Sequence, residues 1–363
     1  MIPAIPFPFS RQLPIGLHVD GDSVALAQIA LHGGRPIVHA TAAGELPIDP
    51  SDSNGAGAAL RRLIADHHFA GRAVISSLPP RDLTIQNVRL PQVPEEELPP
   101  LLRWEAQERL PYPVEEAELR HLNGGIVRDE GVVKQEVILL AVRREAIDRH
   151  LALLHAARLV PIAIDLAGSG IVRCVGAGSD RELSHGDSSR RAYVSLGMAA
   201  ATVVVADAAG IMFLKHLSCG GRHLDQMLAR AVGIPESEAA AMRRTVIRSP
   251  ALDASDDLHR TVIEALRIPL EGLATDLELC LRHVKVAFRG SPPESLLVTG
   301  PDAAPWLAEF FADRLHLPAK VFDPFAAFGR QTSVPDLPGR FTAAVGLSLR
   351  GASTRNIELA ASA

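Results

Sequence analysis

Aromatic residues are scarce in this chain, at 4% of the total with 2 tryptophans and 2 tyrosines. So few stacking surfaces argue against a platform for single-stranded nucleic acid. Neither sign of charge dominates: 37 Lys and Arg stand against 42 Asp and Glu, for a formal net charge of -5. No nucleic-acid partner and no anionic membrane surface is implied. The 3 cysteines, Cys174, Cys219 and Cys280, lie far apart and in no CxxC spacing. That argues against a disulfide framework or a cysteine zinc site and for a reducing, cytoplasmic compartment. His67 and His68 are adjacent, and adjacent side chains do not converge on one metal, so no metal ligand is assigned. The opening MIPAIPFPFSRQ lacks a basic stretch followed by a long apolar one, and a signal peptide is not predicted.

Long hydrophobic runs are few as well. One of them, Tyr193 to Leu214, approaches the length of a membrane helix and holds a single charge, Asp207. Its β-branched stretch at Thr202–Val205 and the turn signal Asp207–Gly210 predict strands of a buried sheet instead. Direct membrane insertion is therefore not expected, and any membrane contact comes through a partner.

What the chain does contain is an internal repeat. PIGLHVDGDSVALAQIALHGGRPIVHA, Pro14 to Ala40, has a counterpart in AYVSLGMAAATVVVADAAGIMFLKHLSCGGRHL, Ala192 to Leu224. Each copy has an apolar run, a glycine-bearing turn, a second apolar run, a polar turn and a third run. Repetition of a whole three-strand unit implies two similar halves, and 363 residues with 47% hydrophobic content fit more than one core. Glycine turns of this kind can aim backbone N–H groups at phosphate oxygens, or they can be tight turns and nothing more.

Along the chain, a helix is expected over Gly55–Phe69, with His67 on its half-buried face, and a strand over Ala73–Leu78. The order βββαβ belongs to an α/β half-domain. From Pro79 to Val160 comes a small α+β insert. It holds a strand at Leu83–Leu90, a helix that begins near Pro100 and carries Leu102, Ala106 and Leu110, a strand at Val132–Val142 and a helix at Glu145–Leu159. A strand at Ile162–Leu166 follows, then a helix to Cys174 and a polar connection over Gly176–Arg191. The second repeat leads into helices, including a long one over Asp256–Phe288 that Pro269 is expected to kink or divide. Ser295–Thr299 and Ala319–Phe322 read as strands, Trp306–Leu315 and Arg340–Leu349 as helices.

These residues together resemble the actin-like proteins of the FtsA branch, and specifically the PilM-type proteins of type IV pilus assembly. The resemblance spans nearly the whole chain. It is carried by PIGLHVDGDSVALAQI, SLPPRDLTIQNVRLPQVPEEE, LRWEAQERLPY, LLAVRREAIDRHLALL, GGRHLDQ and FTAAVGLSLRG. It implies an α/β, actin-like (ASKHA) duplicated two-domain fold with an FtsA-type inserted subdomain. The implied division is a first core at residues 1–78 and 161–190, an insert at 79–160, a second core at 191–222 and 291–351, a mostly helical subdomain at 223–290 and a tail at 352–363.

The same resemblance implies ATP and Mg²⁺ held between the halves, with Asp20, Ser23, Gly197, Thr202, Gly220, Gly221, Arg243 and Gly300 as the binding residues, Asp20 and Ser23 in the first phosphate turn, Gly197 in the second and Gly300 in the adenosine turn. It also implies a PilN-like inner-membrane protein, bound by its N-terminus in a groove between the first core and the insert, and proximity to the pilus motor ATPases. The chain departs from the family's nucleotide pattern. His18 stands for a carboxylate, Asp20 for a glycine, Ala25 for a lysine, Ser195 for an acid and Met198 for a small residue; Ala240 and Arg243 stand for a carboxylate and a lysine, and Pro301 interrupts a glycine run. Carboxylates at Asp20 and Asp22 repel phosphate unless a cation lies between, and Pro301 donates no N–H. The expectation is a cytoplasmic, non-enzymatic scaffold with a degenerate nucleotide site and no catalytic residue. The competing readings are an ATPase or phosphotransferase on the same fold, a self-anchored filament former, and a MshI-like or secretion L-type subunit. The tail GASTRNIELAASA makes a poor interfacial helix, which disfavours self-anchoring.

Overall fold

The computed structural model describes residues 11–47, 53–129, 132–178, 190–288, 292–330 and 336–361. Two compact units emerge, one formed by Met1–Ser77, Leu151–Ser179 and Asp323–Ala363, the other by Leu78–His150 and Asp180–Phe322.

The first unit is built on the first repeat. Strands β1 (Arg11–Gln12), β2 (Ile15–Asp20), β3 (Ser23–His32) and β4 (Arg35–Glu45) lead to helix α1 (Ser53–Ala65) and strand β5 (Ala73–Ser77). β2, β3 and β4 pair antiparallel, and β5 joins β2 in parallel. Ile15, Leu17, Val24, Leu26 and Leu60 form its core with Leu154 and Leu159. α1 ends at Ala65, so His67 lies past the helix and is exposed rather than half-buried.

The insert follows as β6 (Leu83–Pro91), α2 (Leu98–Arg109), β7 (Ala117–Asp129), β8 (Val132–Arg143) and α3 (Arg144–Ala156). Pro99 and Pro100 occupy the first turn of α2, where their missing N–H groups cost nothing. Leu98, Leu102 and Ala106 of α2 pack on Val88, Leu90, Val137 and Leu139. The sheet order is β6-β8-β7. β7 has no counterpart among the sequence expectations: its alternation is broken by polar residues and by a register shift at Asn123/Gly125. The insert sits in the second unit and meets that unit's sheet, with the Asn87 side-chain amide donating to Leu214 O at 3.0 Å. The last turn of α3 and Leu159 enter the first core, although residues up to 160 were assigned to the insert from sequence.

Chain order continues with β9 (Val160–Asp165) and α4 (Ala167–Gly178), both in the first unit. Residues 179–189 of the expected polar connection lie outside the described residues. The second repeat then gives β10 (Arg191–Leu196), β11 (Ala201–Asp207) and β12 (Gly210–Leu217). Helices α5 (Gly221–Val232), α6 (Glu236–Arg248) and α7 (Asp257–Phe288), strand β13 (Ser295–Thr299), helix α8 (Pro305–Leu315) and strand β14 (Ala319–Val321) complete the second unit. Its sheet order, β12-β11-β10-β13-β14, repeats the β4-β3-β2-β5-β9 order of the first, with three antiparallel strands followed by two parallel ones. The sequence repeat is thus a repeat of topology. The apolar run at Tyr193–Leu214 lies in β10, β11 and β12, and β11 is buried from Ala201 to Ala206, as expected of a strand covered on both faces. α7 runs unbroken through Pro269 for 32 residues. One missing hydrogen bond is offset by a continuous buried stripe from Val262 to Ala287.

The chain closes with α9 (Pro324–Ala327), β15 (Gly329–Arg330) and α10 (Thr342–Ala361). Residues 323–351 were expected in the second core, but they belong to the first unit. There β15 pairs with β4, and α10 lies on β2 and α4 with the buried Ser348 Oγ accepting from Ile29 N at 3.0 Å and donating to Pro14 O at 2.7 Å. The helix also continues into the tail expected to begin at residue 352.

Candidate functional site

In the second unit three turns close on one another. β10 ends at Leu196, and Gly197 N folds back onto Ser195 O and Ala200 O, each at 3.2 Å. The first amides of α5, Gly221 N and Arg222 N, donate to Gly197 O at 2.9 Å and Met198 O at 3.0 Å. Helix-opening amides are natural anion donors, and here the chain's own turn takes them. After β13, Gly300 adopts φ +99° and passes so close to Leu196 that a Cβ would stand 2.6 Å from its backbone N and O. Only glycine fits such an approach.

Into this cluster α6 sends Arg243, 1% exposed. Its Nε donates to Asp225 Oδ1 at 2.6 Å and its Nη2 to Asp225 Oδ2 at 3.2 Å, while Nη1 pairs with Asp302 Oδ2. Asp225 on α5 and Asp302 in the turn after β13 are both buried. Burial alone would push the guanidinium pKa down, but Asp302 and Asp225 more than offset it and hold the group above its usual value. The Met198 Sδ lies 3.9 Å from Nη2. The cavity lined by Leu196, Cys219, Gly221, Leu266, Trp306 and Arg243 measures about 20 Å³. That is room for one water, against ~300 Å³ or more for a small-molecule site. A Cβ on Gly221 would meet Asp302 Oδ2 at 2.7 Å, Met198 Sδ at 2.8 Å and Arg243 Nη2 at 2.9 Å. The cradle is filled by this chain's own side chains, and a nucleoside does not fit it as arranged.

The structure therefore gathers Gly197, Gly220, Gly221, Arg243 and Gly300 in one place. Thr202 lies one strand away, its Oγ1 within 3.0 Å of His216 Nδ1 on β12. Asp20 and Ser23 lie in the first unit, at either end of a two-residue turn in which Gly21 takes φ +69°. Glu45 stands opposite Ser23 across β3 and β4, and Ala25, where the resemblance implies a lysine, is buried. Asp20, Asp22 and Glu45 place three carboxylates about this turn, a poor setting for phosphate without a cation. His18 Nδ1 is 2.9 Å from Ser77 Oγ, and desolvation lowers its pKa against the opposing pull of Asp20. Sequence reasoning missed Asp225 and Asp302 as partners of Arg243. A usable signal was present, since a family lysine replaced by arginine calls for planar acceptors.

A family model for the type IV pilus assembly protein PilM matches residues 49–352. The chain belongs to the PilM family. Its fold is actin-like. Among solved structures it is similar to the PilM-PilN type IV pilus biogenesis complex, with TM-score 0.76 and 20% identity over 93% of this chain and 98% of that one. It is also similar to the ethanolamine utilization protein EutJ from Carboxydothermus hydrogenoformans, with TM-score 0.55 and 15% identity over 96% and 93% of the two chains. MreB5 of Spiroplasma citri, solved with ADP, gives TM-score 0.50 at 12% identity over 96% of this chain and 98% of its own. Among the described residues of this PilM-family chain, no helix is long and apolar enough to cross a membrane.

Proposed function

We propose that this protein is a cytoplasmic, non-enzymatic scaffold of type IV pilus assembly. It holds the N-terminus of a PilN-like inner-membrane protein, is peripheral to the membrane through that partner, and links it to the pilus motor ATPases. The observation that carries the reading is the likeness to the PilM-PilN complex over 93% of the chain, together with the family match. Support for a scaffold without turnover comes from the second unit, where Arg243 and two aspartates fill the cradle in which the resemblance implies adenosine. Further support comes from the first turn, with Ala25 in place of a lysine and carboxylates at Asp20 and Asp22. Phosphoryl transfer needs cations and a water-positioning group at the phosphates. Trp104 on α2 of the insert is 57% exposed; an exposed tryptophan on a motif-bearing helix is the kind of anchor a peptide partner uses.

The test is isothermal titration of the full chain with a peptide from the N-terminus of the neighbouring PilN-like protein, with and without ATP and Mg²⁺. Saturable peptide binding of unchanged affinity in nucleotide is the expected result. Absence of peptide binding overturns the scaffold reading, and measurable ATP hydrolysis returns the ATPase reading to first place.

A further inference from the structure

The scaffold reading leaves the glycine-lined turns of the second unit without a ligand. Gly220 and Gly300 pack on the backbone of Met198, Ala199 and Leu196, whereas Gly221 faces charged side chains, an approach only a residue without a Cβ allows. The cation among them is a guanidinium from the same chain.

We infer that Arg243 is the built-in occupant of this cradle: it takes the place of a nucleoside and ties α6 to α5 and to the turn after β13, so the unit keeps its arrangement with no ligand bound. The inference rests on the reading that nucleotide is not turned over. Three observations carry it.

The first is steric. Arg243 Nη2, Asp302 Oδ2 and Met198 Sδ all stand within 2.9 Å of the point where a Gly221 Cβ would be, so no further heavy atom can sit against Gly221 unless these side chains leave.

The second is geometric. Three guanidinium nitrogens are engaged at once, two on Asp225 and one on Asp302. This fork matches carboxylate geometry in a way that a lysine ammonium cannot. Displacement breaks three charge-assisted contacts together.

The third is electrostatic. One cation sits between two buried carboxylates, with Leu224, Val246, Leu266 and Leu270 lining the adjoining cavity. Expelling Arg243 would leave both acids unpaired in an apolar setting, which is strongly unfavourable, and an incoming nucleotide would bring only more negative charge. A neutral adenosine could not compensate either acid.

The experiment uses the full-length protein and three variants, Arg243→Ala, Arg243→Lys and Asp302→Asn, followed by thermal unfolding alone and with adenosine, ATP–Mg²⁺, methylguanidinium or methylammonium. A ligand that binds only the folded state raises Tm. The parent protein should show no rise with adenosine or ATP–Mg²⁺. Arg243→Ala should unfold about 10 °C lower and recover part of that loss with millimolar methylguanidinium but not with methylammonium. Arg243→Lys and Asp302→Asn should fall in between, and they keep the test decisive if the alanine variant does not fold. A parent Tm raised by adenosine or ATP overturns the inference, as does an Asp302→Asn variant as stable as the parent. Peptide titration on the parent, run in parallel, separates the two questions: lost peptide binding with an unresponsive Tm defeats the scaffold reading alone, and a nucleoside-responsive Tm with intact peptide binding defeats the plug alone.

Discussion

Gly346 of α10 and Gly170 of α4 meet backbone to backbone: a Cβ built on Gly346 would lie 1.7 Å from the Gly170 carbonyl oxygen. The C-terminal motif FTAAVGLSLRG is thereby explained as a packing motif. The first of its two glycines, Gly346, lets α10 seat on α4, and two residues on, Ser348 bonds to the backbone of β3 and of the segment before β2. Replacing Gly346 with alanine forces the helices apart and should cost about 2–3 kcal/mol. Ser348→Ala strands a buried backbone N–H at Ile29 and should cost about 1–3 kcal/mol. Urea unfolding of the full chain measures both, and an unchanged midpoint for Gly346→Ala would contradict the packing account.

Stability should depend on pH through His150. The side chain is 5% exposed, and burial lowers its pKa to about 4. Above about pH 6.5 the imidazole is neutral both folded and unfolded, so its contribution to stability is flat. As pH falls from there toward 4 the unfolded chain takes up a proton that the folded chain does not, and stability is lost, by about 3 kcal/mol at pH 4. Urea midpoints at pH 7.5 and 4.5 should show this loss in the parent and a smaller one in His150→Gln; equal slopes would remove His150 from the account.

The thiols should be unreactive in the native state. Burial, reinforced by Asp302 and Asp276, pushes Cys219 up to about 11; burial does the same for Cys280, also to about 11, and pushes Cys174 higher still. Raised thiol pKa means a smaller thiolate fraction, on the order of 10⁻³ at pH 8 for a pKa near 11. Iodoacetamide labelling at pH 8 should therefore be at least ~100-fold slower folded than unfolded, and its rate should climb about tenfold per pH unit toward pH 10. Rapid labelling of Cys219 at neutral pH would show that its surroundings are more open than described.

Trp104 separates stability from binding. Exposed at 57% on the face of α2 away from Leu98, Leu102 and Ala106, it should be replaceable by alanine with a stability change within ~0.5 kcal/mol. The same change should weaken the PilN-like peptide by about tenfold or more if it is an anchor. Titration at matched protein folding, checked by circular dichroism, decides the point, and undiminished affinity would move the partner surface elsewhere.

Much of this architecture could be read from residue order alone. Apolar runs and glycine turns marked each three-strand unit, the paired prolines marked the start of α2, and the apolar stripe marked α7 despite Pro269. These signals are local, because a strand or helix declares its period within a few residues. β7 escaped because an edge strand with a bulge at Asn123/Gly125 lacks a clean alternation. The glycines of the second-unit site were legible as turns, while the side chain that fills their cradle was not.

The sequence by itself determined the duplicated actin-like plan, the insert and the departures from the nucleotide pattern at His18, Asp20, Ala25, Ser195 and Arg243. Tertiary structure alone decided where distant segments belong. α10 returns to the first sheet because Gly346 permits contact with Gly170, and the insert settles on the second unit through contacts such as Asn87 with Leu214. Arg243 turns inward because Asp225 and Asp302, 18 residues before it and in the turn after β13, converge on one guanidinium. Such pairings join residues far apart in the chain, and their energy depends on burial and geometry that no local pattern records.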